Sequence, residues 1–345
     1  MKGLKAQPRT GASTRAAGNG FDGLQALIRK ELADHFSAGR FILLAALIFM
    51  AALISAFMAG QGLSNWLADG LGRFLDGRLL LFLFASPASS LPVFAVVAYL
   101  GPLWGLLLGF DAINRERGQG TLSKILAQPI YRYQVILGKY LAGLFTVALF
   151  TAALILVLSG LGLAVFGLTP TGAEAARLLV FWLVSVIYIG FWLAAGLLMS
   201  ALFKAPATSA LASAALWLFL AFFTNVLAGG AAGLIAPVSN PASPAYAELK
   251  TNGDLYRSFK LISPVAVYDE AAAFTLDPGR RDLNHGRQLL DRAAGGYGGR
   301  FNNPLPFTQA LILALPHLAG LLAWTALAFI LSLAVFTRQE IRSSG

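Results

Sequence analysis

The chain has 345 residues, of which 57% are hydrophobic and only 12% charged, and its formal net charge is +10. Soluble domains carry about 25% charged residues, so an ordinary water-soluble fold is excluded, and the absence of cysteine excludes disulfides, thiolate metal sites and cysteine nucleophiles. The basic residues lie beside apolar runs, where membrane topology and lipid headgroups account for them, and we expect no nucleic-acid partner.

The first forty residues divide into two segments. Residues 1–20 are rich in Gly, Ala, Ser, Thr and Arg without apolar periodicity, which is typical of a disordered basic tail. Residues 21–40 repeat apolar side chains at three- and four-residue spacing, which predicts an amphipathic helix. Because this helix leads directly into an apolar run, we expect it to lie along the membrane interface. A simple extension of the first span into water would give a similar pattern.

Six apolar stretches are long enough to cross a bilayer, for which a helix needs about 20 residues. They cover approximately residues 41–60, 91–112, 134–160, 178–202, 207–228 and 308–336. Helices satisfy their own backbone groups in lipid, and the alternating segments of a transmembrane barrel are missing. The sequence therefore predicts an all-α, polytopic helical membrane protein, with transmembrane helices 1–5 in 41–228 and helix 6 plus the C-terminus in 308–345. We interpret the short run Leu79–Phe84 as an interfacial or re-entrant piece.

The distribution of lysine and arginine predicts the orientation. With the N-terminus inside, the inner segments hold fifteen of these residues and the short outer loops hold three. Because cytoplasmic loops carry such an excess, we predict that both termini are cytoplasmic. The insert 229–307 between helices 5 and 6 is then extracytoplasmic. Its helix-like pieces Val265–Leu276 and Leu283–Ala294 favour a small folded cap over a disordered loop.

Residues that could carry catalysis are few and scattered. His35, His285 and His317 share no metal-binding spacing, and neither a hydrolase motif nor a P-loop occurs. The span centres also lack the ionisable groups that mark ion-coupled transport. We therefore expect no metal, no cofactor and no catalytic site, with an energy source outside this chain. Asp111, at the end of the second span, is interpreted as a solvated helix-end charge.

Three glycines mark a helix contact on the second span. Gly101, Gly105 and Gly109 form two overlapping GxxxG steps. Small residues four apart allow helices to approach closely in lipid. We favour packing within the chain over a dimer seam, although the spacing fits both.

The stretch between the second and third spans, residues 113–133, concentrates charged and helix-breaking residues. Gly118 and Gly120 interrupt the second span, and Thr121 is placed to cap a short helix that Pro129 ends. We predict an amphipathic helix parallel to the membrane, with an apolar face that a cytoplasmic protein could hold. The residues assigned to this surface are Arg115, Glu116, Arg117, Gly120, Thr121, Leu122, Ile125, Leu126 and Pro129.

The same stretch resembles the signature of ABC-2 type transporter permeases. It is similar to the branch that includes the permease of nitrous-oxide-reductase copper-site maturation and the gliding-motility permeases. Ser263–Pro264 followed by a helix also resembles a recurring feature of these permeases. The signature resemblance rests on Asp111, Arg115–Glu116–Arg117, Gly120–Thr121–Leu122, Leu126, Pro129–Ile130, Arg132 and Gly138–Lys139.

This resemblance implies a six-span, non-catalytic permease subunit of an ATP-driven exporter in a prokaryotic cytoplasmic membrane. Cytoplasmic ABC ATPase subunits would dock on residues 113–133, and a second permease copy or a paralogue would complete a dimer in contact with membrane lipid. Two other interpretations stay open. ATP-driven movement could act mechanically on an extracytoplasmic partner, or the outer segment could belong to a membrane-embedded enzyme.

Overall fold

The computed structural model describes residues 20–68, 79–86, 91–128, 131–238, 246–277 and 306–338, and within these ranges it contains helices and no strand. The prediction of an all-α fold is confirmed. A π-helical turn, Phe219–Phe223, joins α9 to α10. The helices are α1 (Gly20–Ser37), α2 (Gly39–Ala68), α3 (Leu79–Ala85), α4 (Val93–Gly109), α5 (Asn114–Gly118), α6 (Thr121–Leu126), α7 (Arg132–Phe166), α8 (Gly172–Leu202), α9 (Pro206–Leu218), α10 (Thr224–Ile235), α11 (Tyr246–Lys260), α12 (Pro264–Leu276) and α13 (Phe307–Arg338).

Six helical segments of the described chain are long and apolar enough to cross a membrane, which confirms the predicted number of spans. Each extends past its predicted limits at one end or both, and at the start of α8 the helix does so through charged residues that the interior accommodates. At the start of α8, Glu174 accepts a hydrogen bond from the Leu80 N–H (2.9 Å) and Arg177 donates to the Thr275 carbonyl (3.2 Å). The segments are Gly39–Asn65, Val93–Gly118, Arg132–Phe166, Gly172–Leu202, Pro206–Ile235 and Phe307–Arg338.

The spanning segments run between two ends of one helical bundle. One end, called here the loop end, holds α5, α6 and the first turns of α2 and α7, and the opposite end holds the first turns of α4, α8 and α13. Helix α8 is central, since it packs against α4, α7, α12 and α13 and buries Tyr188 and Trp192 completely. The run interpreted as interfacial or re-entrant forms α3, whose residues Leu80–Phe84 are buried against the core.

Helix α1 packs on the beginning of α7. The predicted amphipathic segment 21–40 is divided at Ala38 into α1 and the first residues of α2. Leu27 is buried over Gly138, where an added Cβ would come within 2.7 Å of Leu27 Cδ2. Glycine at this position therefore allows the two helices to approach closely. The position of α1 along the membrane interface stays a prediction.

Helices α11 and α12 form a hairpin that turns beside the membrane helices. Helix α11 runs back along α10, where Asn252 Nδ2 donates to the Ala236 carbonyl at 2.8 Å. At the turn, Ser263 Oγ donates to the Leu220 carbonyl at 2.6 Å. Helix α12 then returns between α4, α8 and α13 with nearly all its residues buried.

This hairpin differs from the separate cap expected within 229–307. The fifth span continues to Ile235, and α12 lies inside the bundle because most of its side chains are apolar and nearly all of them are buried. Its carboxylate Glu270 is paired there with Arg257 Nη2 at 2.7 Å and with His317 Nε2 at 2.9 Å. The predicted helix at 283–294 lies outside the described residues.

Candidate functional site

The segment between α4 and α7 folds back onto the loop end of the bundle. Its residues 114–128, called here the 114–128 loop, contain α5, a turn and α6. Gly120 has φ of 69°, in the left-handed region that favours glycine, and reverses the chain between the two helices. Thr121 does not cap α6 as predicted, because Gly120 occupies the N-cap position. The Thr121 hydroxyl instead donates to the Glu116 carbonyl (3.2 Å) and joins α6 to α5.

The apolar side of α6 faces mainly into the protein. Leu122 is 1% exposed and packs against apolar side chains of α1, α7 and α13. It is therefore unavailable for the external contact expected of it, because the hydrophobic cluster at the loop end already buries it. Ile125 is half-buried at the surface, whereas the side chain of Leu126 and all of Pro129 lie outside the described residues.

The start of the loop is bound to the end of α8. The backbone N–H groups of Ile113 and Asn114 both donate to Ser200 Oγ, at 2.9 and 3.2 Å. Since α4 ends at Gly109, these two bonds satisfy backbone donors that no helix uses there. Of the flanking arginines, Arg115 is exposed and Arg117 is half-buried.

Four charged side chains join α1, the loop and α7, and we call them the Lys139 cluster: Lys30, Glu31, Glu116 and Lys139. Lys139 Nζ lies 2.9 Å from Glu31 Oε1 and 2.9 Å from Glu116 Oε1, and Lys30 Nζ lies 2.9 and 2.8 Å from the same two oxygens. The Lys139 side chain is 3% exposed and each glutamate 6%. Buried charges are costly unless paired, so the position of each segment depends on the others.

The titration of Glu31 reflects this pairing. Burial acts to raise the pKa of Glu31, but the charge of Lys139 and hydrogen bonds from Lys139 and Lys30 outweigh it, and the pKa is lowered below its ordinary value of 4.5. The unfolded chain therefore takes up this proton more readily than the folded protein. The stabilisation by Glu31 is present above pH 4.5 and is lost as pH falls through the lowered pKa.

A second ion pair connects the start of α2 to the end of the second span. Arg40 Nη2 lies 2.6 Å from Asp111 Oδ2, and Arg115 Nη1 lies 4.0 Å from the same oxygen. Asp111 is 5% exposed. The sequence interpretation of a solvated charge is wrong in this respect, because Arg40, on a different span, covers the carboxylate.

An open cleft of about 500 Å³ separates α1 from the 114–128 loop. Basic side chains Lys30, Arg115 and Lys124 line it together with Asp34 and the half-buried Ile125. Because its lining is mixed and lies at the surface, this cleft suits a protein contact better than an enclosed ligand.

The three glycines of the second span lie against α8 of the same chain. A Cβ on Gly105 would lie 2.6 Å from the Ile189 carbonyl oxygen, and one on Gly109 would lie 2.7 Å from that of Leu193. At Gly101 the nearest atom is a side-chain carbon, Ile189 Cγ1, at 3.1 Å. Within the chain, Gly105 and Gly109 therefore allow close backbone contact of α4 with α8.

Sequence reasoning found the loop but missed its supports on other helices. Lys30, Glu31 and Ser200 were not among the predicted site residues, and Lys139 entered only through the family resemblance. Lys139 could have been noticed as a lone charge in an apolar segment, which is usually paired or functional. Among the described residues, no group of three or more His, Asp or Glu is placed to hold a metal ion.

Comparison with known proteins places the chain in a family. The model of the ABC-2 family transporter proteins matches residues 25–341. Over 115 residues the chain is 36% identical to the probable ABC transporter permease protein NosY of Pseudomonas aeruginosa and 35% identical to the protein of the same name from Stutzerimonas stutzeri. Each match covers 33% of this chain and 36% of the relative. The expected resemblance is confirmed, and the chain belongs to the ABC-2 family of transporter proteins.

Proposed function

We propose that this chain is the permease subunit of an ATP-driven exporter and that its 114–128 loop receives the movement of a separate ABC ATPase. The observation that carries this proposal is the Lys139 cluster, which connects the loop to α1 and α7 through buried ion pairs of 2.8–2.9 Å. With the Ser200 bonds to α8, three helices would be displaced when the loop is displaced.

The cleft between α1 and the loop is the proposed docking surface. Its exposed basic side chains, Arg115 and Lys124, would orient an acidic segment of the ATPase, and Ile125 would supply an apolar contact. Interface energy concentrates in a few central residues of this kind. Exposed charges contribute less, about 0–1 kcal/mol per pair. In the assembled transporter, a second permease copy or a paralogue would supply the second docking site in the same prokaryotic inner membrane.

Ile125→Asp is expected to weaken ATPase binding by about 30-fold, the effect of losing a central contact of about 2 kcal/mol. Lys124→Ala, at an exposed neighbouring position, is the matched control and should change binding by less than about fivefold. The measurement is copurification of the partner ATPase, followed by titration of the purified subunits. Leu122→Asp is unsuitable, because its burial in the protein's own core would confound docking with folding.

Thermal unfolding of the isolated permease separates a loss of ATPase docking from a loss of folding. Lys124→Ala is expected to unfold at the wild-type temperature, and Ile125→Asp somewhat below it but as a folded protein, because Lys124 is exposed whereas Ile125 is half-buried against the loop-end hydrophobic cluster. Wild-type binding by Ile125→Asp would show that the cleft is not the docking surface. If Ile125→Asp binds the ATPase with normal affinity but no longer stimulates ATP hydrolysis, the cleft would take part in coupling and not in docking.

The proposed orientation is testable by cysteine labelling, since the chain contains no cysteine of its own. Thr169 and Lys204 are both exposed and follow consecutive spans, α7 and α8. With both termini cytoplasmic, Thr169→Cys should react with a membrane-impermeant maleimide in intact spheroplasts, and Lys204→Cys only after permeabilisation. The opposite labelling pattern would mean that the protein has the reverse orientation. Equal labelling of both positions would mean that α8 does not cross the membrane between them.

A further inference from the structure

A polar pocket of about 230 Å³ lies where the α11–α12 hairpin meets α4 and the π-helical turn. It is distinct from the cleft on the 114–128 loop, and nothing in the coupling proposal depends on it. π-Helical turns inside spanning helices often occur at functional sites. The polar side chains lining the pocket are Tyr99, Thr224, Asn225, Lys260, Ser263 and Asp269.

The cation of this pocket is Lys260, the last residue of α11. Within the described residues, its ammonium group forms no ion pair. A half-buried lysine that borders a cavity beside spanning helices attracts an anionic group, because partial removal from water strengthens its interaction with a charge of opposite sign. Phosphate and carboxylate are the common biological anions that a lysine holds.

Hydrogen-bond acceptors line the same cavity. Thr224 Oγ1 donates its hydrogen to the Leu220 carbonyl (2.8 Å), and Asn225 Nδ2 donates to the Ala221 carbonyl (3.0 Å). The Thr224 hydroxyl oxygen and the Asn225 amide oxygen are thereby turned into acceptors for a ligand. Asp269 adds a carboxylate to the lining. A primary ammonium group, with three N–H donors, matches this set.

We infer that the pocket lies at the depth of lipid headgroups from its distance along the fifth span. Thr224 lies eighteen residues beyond Pro206, which is about 27 Å along a helix at 1.5 Å per residue. The hydrocarbon core is about 30 Å thick, so a span that enters near Pro206 reaches the opposite interface close to Thr224. Beside the pocket, Phe219 and Phe223 are exposed apolar side chains suited to contact acyl chains.

We propose that this pocket binds a phosphoethanolamine group, with the phosphate on Lys260 and the primary ammonium on the acceptors of Thr224, Asn225 and Asp269. The cavity is smaller than the roughly 300–1,000 Å³ of pockets for drug-sized ligands, and so fits a headgroup. This group occurs in the headgroup of phosphatidylethanolamine and as the soluble zwitterion phosphoethanolamine. A choline headgroup carries the same phosphate but no N–H donor, which makes it the discriminating probe.

The test uses the purified full-length protein in detergent, titrated with short-chain phosphatidylethanolamine and phosphatidylcholine of equal chain length. We expect phosphatidylethanolamine to bind at least about tenfold more tightly, the effect of one hydrogen bond to a charged group. Lys260→Ala should weaken its binding by a similar factor, and Lys260→Arg should retain it. Lys250→Ala, on the exposed side of α11, is the matched control and should bind as the wild type does.

Competition by free phosphoethanolamine distinguishes the two sources of the group. Displacement of the lipid at comparable concentration identifies a soluble zwitterion as the ligand, and failure to displace identifies the lipid. Equal affinity for the ethanolamine and choline lipids would overturn the proposal. Unchanged binding by Lys260→Ala with a wild-type melting temperature would also overturn it.

Discussion

Replacing Gly105 with alanine is expected to separate α4 from α8 locally and to destabilise the protein by about 3 kcal/mol, the upper part of the range for overpacked cores. The added Cβ would lie 2.6 Å from the Ile189 carbonyl oxygen and 2.8 Å from the Leu193 nitrogen. Both are backbone atoms of a central helix and cannot move aside by a rotamer change. Close helix contacts in membranes depend on residues without a side chain at such positions.

Gly101→Ala is the matched control on the same face of α4. Its Cβ would meet the Ile189 side chain at 3.1 Å, and a shift of a few tenths of an ångström in that side chain relieves the contact. We expect a cost below about 1 kcal/mol. Thermal unfolding in detergent measures both variants. Equal stability of the two would contradict the α4–α8 assignment. Loss of a dimer by Gly105→Ala with unchanged monomer stability would instead indicate a seam between subunits.

The six spans were predictable because a bilayer-length apolar helix has a strong compositional signal. The glycines at four-residue spacing also predicted a close helix contact, yet the spacing contains no information on which helix approaches. Gly105 and Gly109 fit a partner in the same chain as well as one in a second copy. Only the three-dimensional position of α8 shows that Gly105 lies against Ile189 and Gly109 against Leu193.

The supports of the 114–128 loop were harder to predict because their residues are distant in sequence. Glu116 pairs with Lys30, 86 residues earlier, and Lys139 bonds to Glu31 across 108 residues. The glycines located the turn at Gly120, and local periodicity was used for the helix that follows it. It assigned Leu122 to an external surface because an amphipathic pattern shows which residues share a face and not what covers that face.

The α11–α12 hairpin was misjudged for a related reason. Polar residues surround it in sequence, so hydropathy favours a separate cap outside the membrane. Its position depends on individual polar contacts, such as that of Ser263 with Leu220 and those of Glu270 with Arg257 and His317. Such contacts make charged residues compatible with a location beside spanning helices.

Lys139→Met is the substitution expected to disturb the loop end most. Methionine approximates the length of the lysine but removes the charge that both buried glutamates share. Removing one partner of a buried ion pair costs about 3–5 kcal/mol. Because Lys30 still contacts both carboxylates, we expect the lower end of this range. Lys30→Met is the control and should cost less than about 1 kcal/mol, because that side chain is 46% exposed and Lys139 remains in place.

The pH dependence of unfolding distinguishes a buried charge from a simple loss of packing. Without Lys139, burial would dominate and raise the pKa of Glu31 above 4.5, since burial is the largest influence and Lys139 the main opposing one. The folded variant would then take up this proton more readily than the unfolded chain. Its stability deficit relative to the wild type should be greatest at neutral pH and shrink as pH falls toward 4.5. Denaturant unfolding of both proteins between pH 7.5 and about 5 measures that difference. A deficit that stays constant over this range would mean that Lys139 contributes packing alone and that the glutamates are not held by its charge.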